Sequence, residues 1–266
     1  MSVLRFASAL RFTPRGVTLV FLATAIAAML WYGPIAQPAH YHDFADTRAW
    51  WGIPNAADVL SNLAFLAVGL WGVRLLWRWR ADDRLALAGF GYALFVAGLI
   101  GTALGSAFYH WAPDDASLIW DRLPIALLCA GLLAASFAEV NRSSSWLPSI
   151  LLSLFGAASV MWWSYTGDLR PYVLLQVAPL VLIPIWQSLR AASRSERAMF
   201  GAAMGIYVCS RLAELFDIRL YTLLGTISGH TLKHLLAAAT AALILQSVAH
   251  AIENKNKEAL SPLSAW

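Results

Sequence analysis

The pair of histidines near the carboxyl-terminal end of the chain has the clearest chemistry in the sequence. His230 and His234 stand four residues apart in the run Gly-His-Thr-Leu-Lys-His. In a helix this spacing places both imidazoles on one face, one turn apart, where they suit a single metal ion. Pairs with this spacing also occur as packing residues or haem ligands, so the pair alone leaves three interpretations open.

A second group of polar residues lies near the middle of the chain. His110 would supply a third nitrogen, and three protein ligands with one open position are typical of a catalytic zinc site. Ser106 precedes His110 by four residues and therefore shares its helical face, and Asp121 follows eleven residues later. Both residues also have structural explanations. The Ser106 hydroxyl would bond to a carbonyl of its own helix, or its small side chain would allow tight helix packing, and Asp121 would pair with Arg122 or cap a helix.

The composition indicates the kind of scaffold that carries these groups. Of 266 residues, 59% are hydrophobic and 13% charged, and 13 are tryptophan. Soluble domains have roughly 25% charged residues, so an ordinary soluble domain and a disordered chain are both excluded. The length allows seven or eight membrane-spanning helices. Cys129 and Cys209 lie in apolar runs, which excludes a disulfide framework.

The apolar runs predict an all-α polytopic bundle with one transmembrane domain at 1–252 and a polar tail at 253–266. The first run is either a cleaved signal peptide or a retained helix, and the lack of a convincing cleavage site after it favours a retained helix. The predicted spans are 16–35, 57–77, 85–109, 118–138, 146–165, 172–189, 198–216 and 222–249.

The basic residues predict the orientation of the bundle. Positively charged loops stay in the cytoplasm, and eight spans with both termini inside place 13 of the 19 basic residues there. The net charge of +4 therefore reflects the orientation of the chain in the membrane, and for this reason we expect no nucleic-acid partner. Short loops favour a bacterial plasma membrane. The inside set is Arg5, Arg11, Arg15, Arg74, Arg78, Arg80, Arg84, Arg142, Arg190, Arg194, Arg197, Lys255 and Lys257.

The predicted topology brings the polar groups to one depth, toward the outer face. An ionisable side chain within a span is costly, and its presence suggests a function. His110 closes the third span and Asp121 opens the fourth. Ser61 and Asn62 lie in the outer part of the second span, where they either shape the site or make a hydrogen-bonded helix contact. The histidine pair lies in the outer half of the last span.

Taken together, this set of residues resembles the alkaline ceramidase family over about residues 43–250. The family belongs to a membrane hydrolase superfamily that includes the adiponectin-type receptors. The resemblance implies a seven-helix core at 57–249, with 16–35 as an added helix. It also implies zinc held with a water, and cleavage of a ceramide amide bond. The implied zinc ligands are His110, His230 and His234, and the implied supporting residues are Ser106 and Asp121.

Two departures from the family pattern affect the expected ligands. Family members have an acidic calcium site before the first core helix, and here Asp43, Asp46, Asn55 and Asp58 offer oxygen ligands of the kind calcium prefers. Their spacing differs from the family's, and Arg48 beside them disfavours a cation. The family commonly has tryptophan where this chain has a lysine before its last histidine, at position 233. This difference leaves the exact substrate open.

The sequence therefore predicts a zinc-dependent intramembrane amidase that cleaves a ceramide-like N-acyl lipid entering from the bilayer. The alternative is a zinc-containing lipid receptor with the same core. A transporter would need polar residues through the whole membrane, and the inner halves of these spans have few. A serine–histidine–aspartate relay would leave His230 and His234 unexplained. The oligomeric state is not readable from the sequence.

Overall fold

The computed structural model describes residues 13–260, and this part of the chain is all-α. Eight helical segments are long and apolar enough to cross a membrane, which confirms the predicted polytopic bundle. The second segment consists of two helices, and one short helix precedes the last segment. In chain order the helices are α1 Pro14–Tyr32, α2 Ala56–Ser61, α3 Leu63–Arg78, α4 Asp83–Trp111, α5 Asp115–Asn141, α6 Trp146–Thr166, α7 Arg170–Leu189, α8 Arg194–Leu215, α9 Asp217–Leu224 and α10 Gly229–Leu260.

The last segment differs from its predicted bounds at both ends. It was expected at 222–249, but α9 ends at Gly225, whose φ of 69° is a left-handed conformation that glycine adopts without strain. Ser228 then caps α10, because its Oγ accepts a hydrogen bond from the Thr231 amide at 2.9 Å. At the other end α10 continues to Leu260, through the first part of the predicted polar tail. The rest of that tail, and Arg5 and Arg11, lie outside the described residues.

Close packing between α4 and α5 depends on glycine. A Cβ atom on Gly98 would lie 2.6 Å from the Leu128 amide nitrogen, and one on Gly105 would lie 1.9 Å from the Trp120 carbonyl oxygen. Any larger residue would separate the two backbones, as at other small-residue contacts between membrane helices. The contact at Gly105 matters for the site, since it sets the distance between the last two turns of α4 and the start of α5.

Ion pairs close the end of the bundle opposite to these turns. Arg84 at the start of α4 binds Glu139 of α5, with 2.6 Å between Nε and Oε1. It also binds Glu196 of α8 at 2.6 Å, and Arg190 pairs with both glutamates. Buried charges of this kind are satisfied only when each has its partners. The cluster thus fixes the mutual arrangement of α4, α5 and α8 at that end.

The first helix lies at the edge of the bundle. None of its residues is buried, and it packs mainly against α7. Arg170 connects the two, because its Nη1 donates to the Met29 carbonyl at 3.0 Å while Nε binds Asp168. The remaining seven segments form the buried core, in which α10 packs against α8 and α3. The site described below lies within these seven segments.

Candidate metal centre

Three buried histidines meet at one end of the bundle. His110 comes from the last turn of α4, and His230 and His234 come from the first two turns of α10. Their ring centroids form a nearly equilateral triangle, with 4.8 Å between His110 and His230, 5.0 Å between His110 and His234, and 4.9 Å between His230 and His234. Each is no more than 6% exposed. The structure therefore brings together all three of the predicted ligands.

Hydrogen bonds determine which atom of His234 faces this triangle. Its Nδ1 lies 2.8 Å from the Oγ of Ser61, and that hydroxyl donates to the Asp58 carbonyl oxygen at 2.9 Å. A hydroxyl has one proton, so the Nδ1 of His234 must carry the proton that Ser61 accepts. This assignment leaves Nε2 unprotonated and free to bind a metal. Ser61, which the sequence placed at the site with an undecided role, is thus the partner that orients a candidate ligand.

The donor atoms fit a metal ion. The Nε2 atoms of His110 and His230 lie 3.2 Å apart, close to the roughly 3.3 Å separating two imidazole nitrogens at zinc distances on a tetrahedron. The His110 Nδ1 has no hydrogen-bond partner among residues 13–260. These are the only three histidine, cysteine or acidic residues within that range whose ligand atoms cluster this way. Imidazole nitrogens suit zinc and several other transition metals, so the arrangement could hold a metal without deciding which one.

The segment between α1 and α2 covers the histidines from outside the bundle. The Phe44 ring lies 4.6 Å from the His110 ring and 4.7 Å from the His230 ring. Asp217 holds this cover in place, because its Oδ2 accepts from the Ala45 amide at 2.9 Å and its Oδ1 accepts from the His230 amide at 2.7 Å. Neither Phe44 nor Asp217 was predicted from the sequence as part of the site. No local pattern marks either residue, since both act through contacts between distant segments.

A cavity of about 280 Å³ lies within the bundle, and His234 is the member of the histidine triangle that lines it. Ser106, Asp121 and His234 all line it, and the Ser106 hydroxyl lies close to the Asp121 carboxylate. Ser106 is buried and Asp121 is partly buried. Both predicted catalytic residues therefore line the cavity that His234 also lines. Asn62 is 1% exposed and is not among the residues that line the cavity, and its side chain donates to the carbonyl oxygen of Asp58, four residues earlier, at 2.8 Å.

A lysine brings positive charge to the edge of the histidine triangle. The Nζ of Lys233 lies 3.0 Å from His230 Nε2 and 2.9 Å from Glu214 Oε1. Glu214 also binds Arg211 at 2.5 Å. All three of these charged residues line the cavity. Lys233 therefore lines the cavity and donates to the His230 Nε2, a hydrogen bond that a metal ion bound to this nitrogen would replace.

The predicted calcium ligands do not form a common site. Among the described residues, the carboxylates of Asp43, Asp46 and Asp58 do not come close enough together to share a metal ion. Asp43 binds His40, while both carboxylate oxygens of Asp46 bind Arg48 at 2.8 and 2.7 Å. Hydrogen bonding to Arg48 lowers the pKa of Asp46, so this group is an ion-pair partner at neutral pH.

The other two members of that set serve as links between helices. Asn55 donates through Nδ2 to the His110 carbonyl oxygen at 2.8 Å. Asp58 accepts from the hydroxyls of Thr231 at 2.5 Å and Ser228 at 3.3 Å. Both residues therefore connect α2 to the turns that present the histidines. Their role in the described structure is to position the candidate ligands, which is a function that the sequence had not assigned to them.

No known family model, curated protein or solved structure matches the chain. The resemblance to the alkaline ceramidases consequently rests on the motif residues.

Proposed function

We propose that the protein is a zinc-dependent intramembrane amidase that cleaves a ceramide-like N-acyl lipid. The observation that carries this proposal is the meeting of three buried histidines within a membrane bundle, one of which, His234, lines the polar end of a cavity together with Ser106 and Asp121. Three neutral nitrogen donors leave a fourth position open on a tetrahedral metal, as in catalytic rather than structural zinc sites.

The residues around the histidines have complementary tasks in amide hydrolysis. When bound, zinc supplies a water nucleophile at neutral pH by lowering the pKa of the water. Asp121 accepts the proton of the attacking water and then delivers it to the leaving amine. The Ser106 hydroxyl donates a hydrogen bond to the carbonyl oxygen as it gains negative charge. Ser61 keeps His234 in the required tautomer throughout.

The cavity also suits the acyl chain of such a lipid. Beyond the polar end its lining is largely apolar and includes Phe95, Leu132 and Ile244. Substrate sites in helix bundles lie between the helices, and an acyl chain entering from the bilayer would stay in apolar surroundings there. The amide of the same molecule would then lie level with Ser106 and Asp121. This arrangement supports an amphipathic substrate.

The proposal includes an orientation in the membrane. Both termini are cytoplasmic and the histidines lie toward the outer face of a plasma membrane, because this arrangement keeps most basic loops inside. Labelling of single engineered cysteines in intact cells tests it. We expect external labelling at 112–116 and none at 139–145 or in the tail. External labelling of the tail would contradict the arrangement with eight spans.

The decisive experiment compares metal content, thermal stability and turnover of a fluorescent N-acyl lipid. We expect about one zinc per chain, which is lost with activity on chelation and in His230→Ala. Asp121→Asn should retain its zinc and its folded structure but lose activity by about 10²–10⁴-fold, the usual contribution of general acid–base catalysis. Ser106→Ala should keep zinc and lose up to about 10²–10³-fold.

Matched controls distinguish these losses from general damage. Asp83→Asn removes an exposed carboxylate that pairs with Lys255 at the other end of α4, and Ser164→Ala removes an exposed hydroxyl. Both should retain full activity. Full zinc occupancy in a triple alanine variant of the histidines would refute the metal centre. Loss of zinc and of fold in Asp121→Asn would make Asp121 a structural residue. Tight lipid binding without turnover by the wild type would favour the alternative function, a zinc-containing lipid receptor.

A further inference from the structure

A buried arginine in the cavity forms no ion pair with any of residues 13–260, the part of the chain that the structure describes. Arg122 follows Asp121 on α5 and is 3% exposed. Its guanidinium lies 3.7 Å from the centroid of the Trp163 ring, and Nη2 donates to Gln37 Oε1 at 2.8 Å. Nη1 is buried and has no hydrogen-bond partner in the part of the chain that the structure describes. Arg122 lines the same cavity as Ser106 and His234.

The nearby carboxylates form no direct ion pair with Arg122 among residues 13–260. Glu214 is engaged by Lys233 and Arg211, and Asp121 lies next to Ser106 and makes no ion pair with Arg122 within residues 13–260. An arginine away from water is costly unless it is paired and hydrogen-bonded. Stacking on Trp163 offsets part of this cost, but it leaves both protons of Nη1 without an acceptor. A ligand oxygen with negative charge would satisfy the charge and the hydrogen bond together.

We propose that Arg122 binds an acidic oxygen on the polar head of the substrate, either a carboxylate or a phosphate. This inference rests on the proposed amidase function and narrows its substrate to N-acyl lipids with an acidic head. A neutral hydroxyl head would accept a hydrogen bond but leave the buried charge uncompensated. Charge-assisted bonds to arginine are about twice as strong as neutral ones. Arg122 and Asp121 line the same cavity, so the head and the amide that is cleaved would lie within one cavity.

The experiment compares three fluorescent probes with the same acyl chain, which are amides of glycine, of ethanolamine and of ethanolamine phosphate. We expect the wild type to prefer an acidic probe over the ethanolamide by about 10–100-fold in kcat/KM, the range for a hydrogen bond to a charged group. Arg122→Gln should reduce this preference to within about threefold, with zinc content unchanged. Arg122→Lys should retain part of it. Whether glycine or phosphate is preferred identifies the acidic group.

The control is Arg219→Gln, which removes one positive charge from the exposed face of α9, outside the cavity. It should leave the preference unchanged, since the effect is local rather than due to net charge. Equilibrium binding of the same probes to the chelated protein gives a readout without turnover. Acidic probes should bind at least tenfold more tightly than the ethanolamide to the wild type, and this difference should disappear in Arg122→Gln.

The outcomes distinguish the two proposals. If the protein hydrolyses all probes without an acidic preference, or if Arg122→Gln weakens all of them equally, the assignment of Arg122 is refuted while the amidase stands. If nothing is hydrolysed but acidic probes bind through Arg122, the amidase fails and the head-group site stands. Should Arg122→Gln not fold, the wild type still decides, because a preference for the ethanolamide overturns the inference directly.

Discussion

Replacing Gly105 with alanine tests whether helix contact positions the proposed catalytic residues. The new Cβ would lie 1.9 Å from the Trp120 carbonyl oxygen, and real Cβ contacts essentially never fall below 3.0 Å. The start of α5 would therefore have to move by about 1.1 Å. Because Ser106 follows Gly105 and Asp121 follows Trp120, this movement separates the two catalytic groups directly.

The size of the effect follows from that displacement. A misplacement of about 1 Å can cost roughly 10²-fold in rate, and overpacking of a closely packed contact costs about 1–3 kcal/mol of stability. We expect Gly105→Ala to retain its zinc, because the three histidines lie on α4 and α10, and to lose activity by about that factor. Turnover, zinc content and the thermal midpoint would be measured in the same detergent.

Gly89 provides the matched control on the same helix. A Cβ there would meet only Leu85 of its own helix, at an ordinary 3.5 Å. Gly89→Ala should therefore be neutral or slightly stabilising, since alanine is favoured over glycine in helices by about 0.5–1 kcal/mol. Wild-type turnover and stability in Gly105→Ala would refute the argument that this contact sets the geometry of the site.

Two further predictions concern the supports of the site. Ser61→Ala should weaken zinc binding about 10–100-fold in a chelator competition, as loss of a ligand's hydrogen-bond partner usually does, whereas unchanged affinity would show that His234 needs no such partner. Asp46→Asn should lower the thermal midpoint at neutral pH. The pKa of Asp46 is lowered from 3.8 by Arg48, so this contribution is present above the unfolded-state value and disappears as the pH falls through the folded-state value. A midpoint difference that persists under strongly acidic conditions would contradict the ion-pair explanation.

The sequence was sufficient for the features that depend on local composition and spacing. Hydropathy over about 20 residues identifies a membrane span wherever it folds, because the bilayer fixes the length of an apolar helix. The spacing of His230 and His234, and that of Ser106 and His110, fixes which side chains share a helical face. These local rules predicted the eight segments and the three histidines that the structure brings together. They were weakest at the last segment, where a glycine turn and a serine cap separate α9 from α10.

Contacts between distant parts of the chain were decided only by the tertiary structure. Phe44 covers the histidines, and Asp217 anchors both this cover and the start of α10. Two of the predicted calcium ligands have other partners in the structure. Both carboxylate oxygens of Asp46 bind Arg48, and Asp58 accepts hydrogen bonds from the hydroxyls of Ser228 and Thr231. The lack of an ion-pair partner for Arg122 within residues 13–260 likewise depends on contacts between distant segments. Whether a buried charge has a partner depends on the positions of side chains many residues away, and no spacing within one helix determines them.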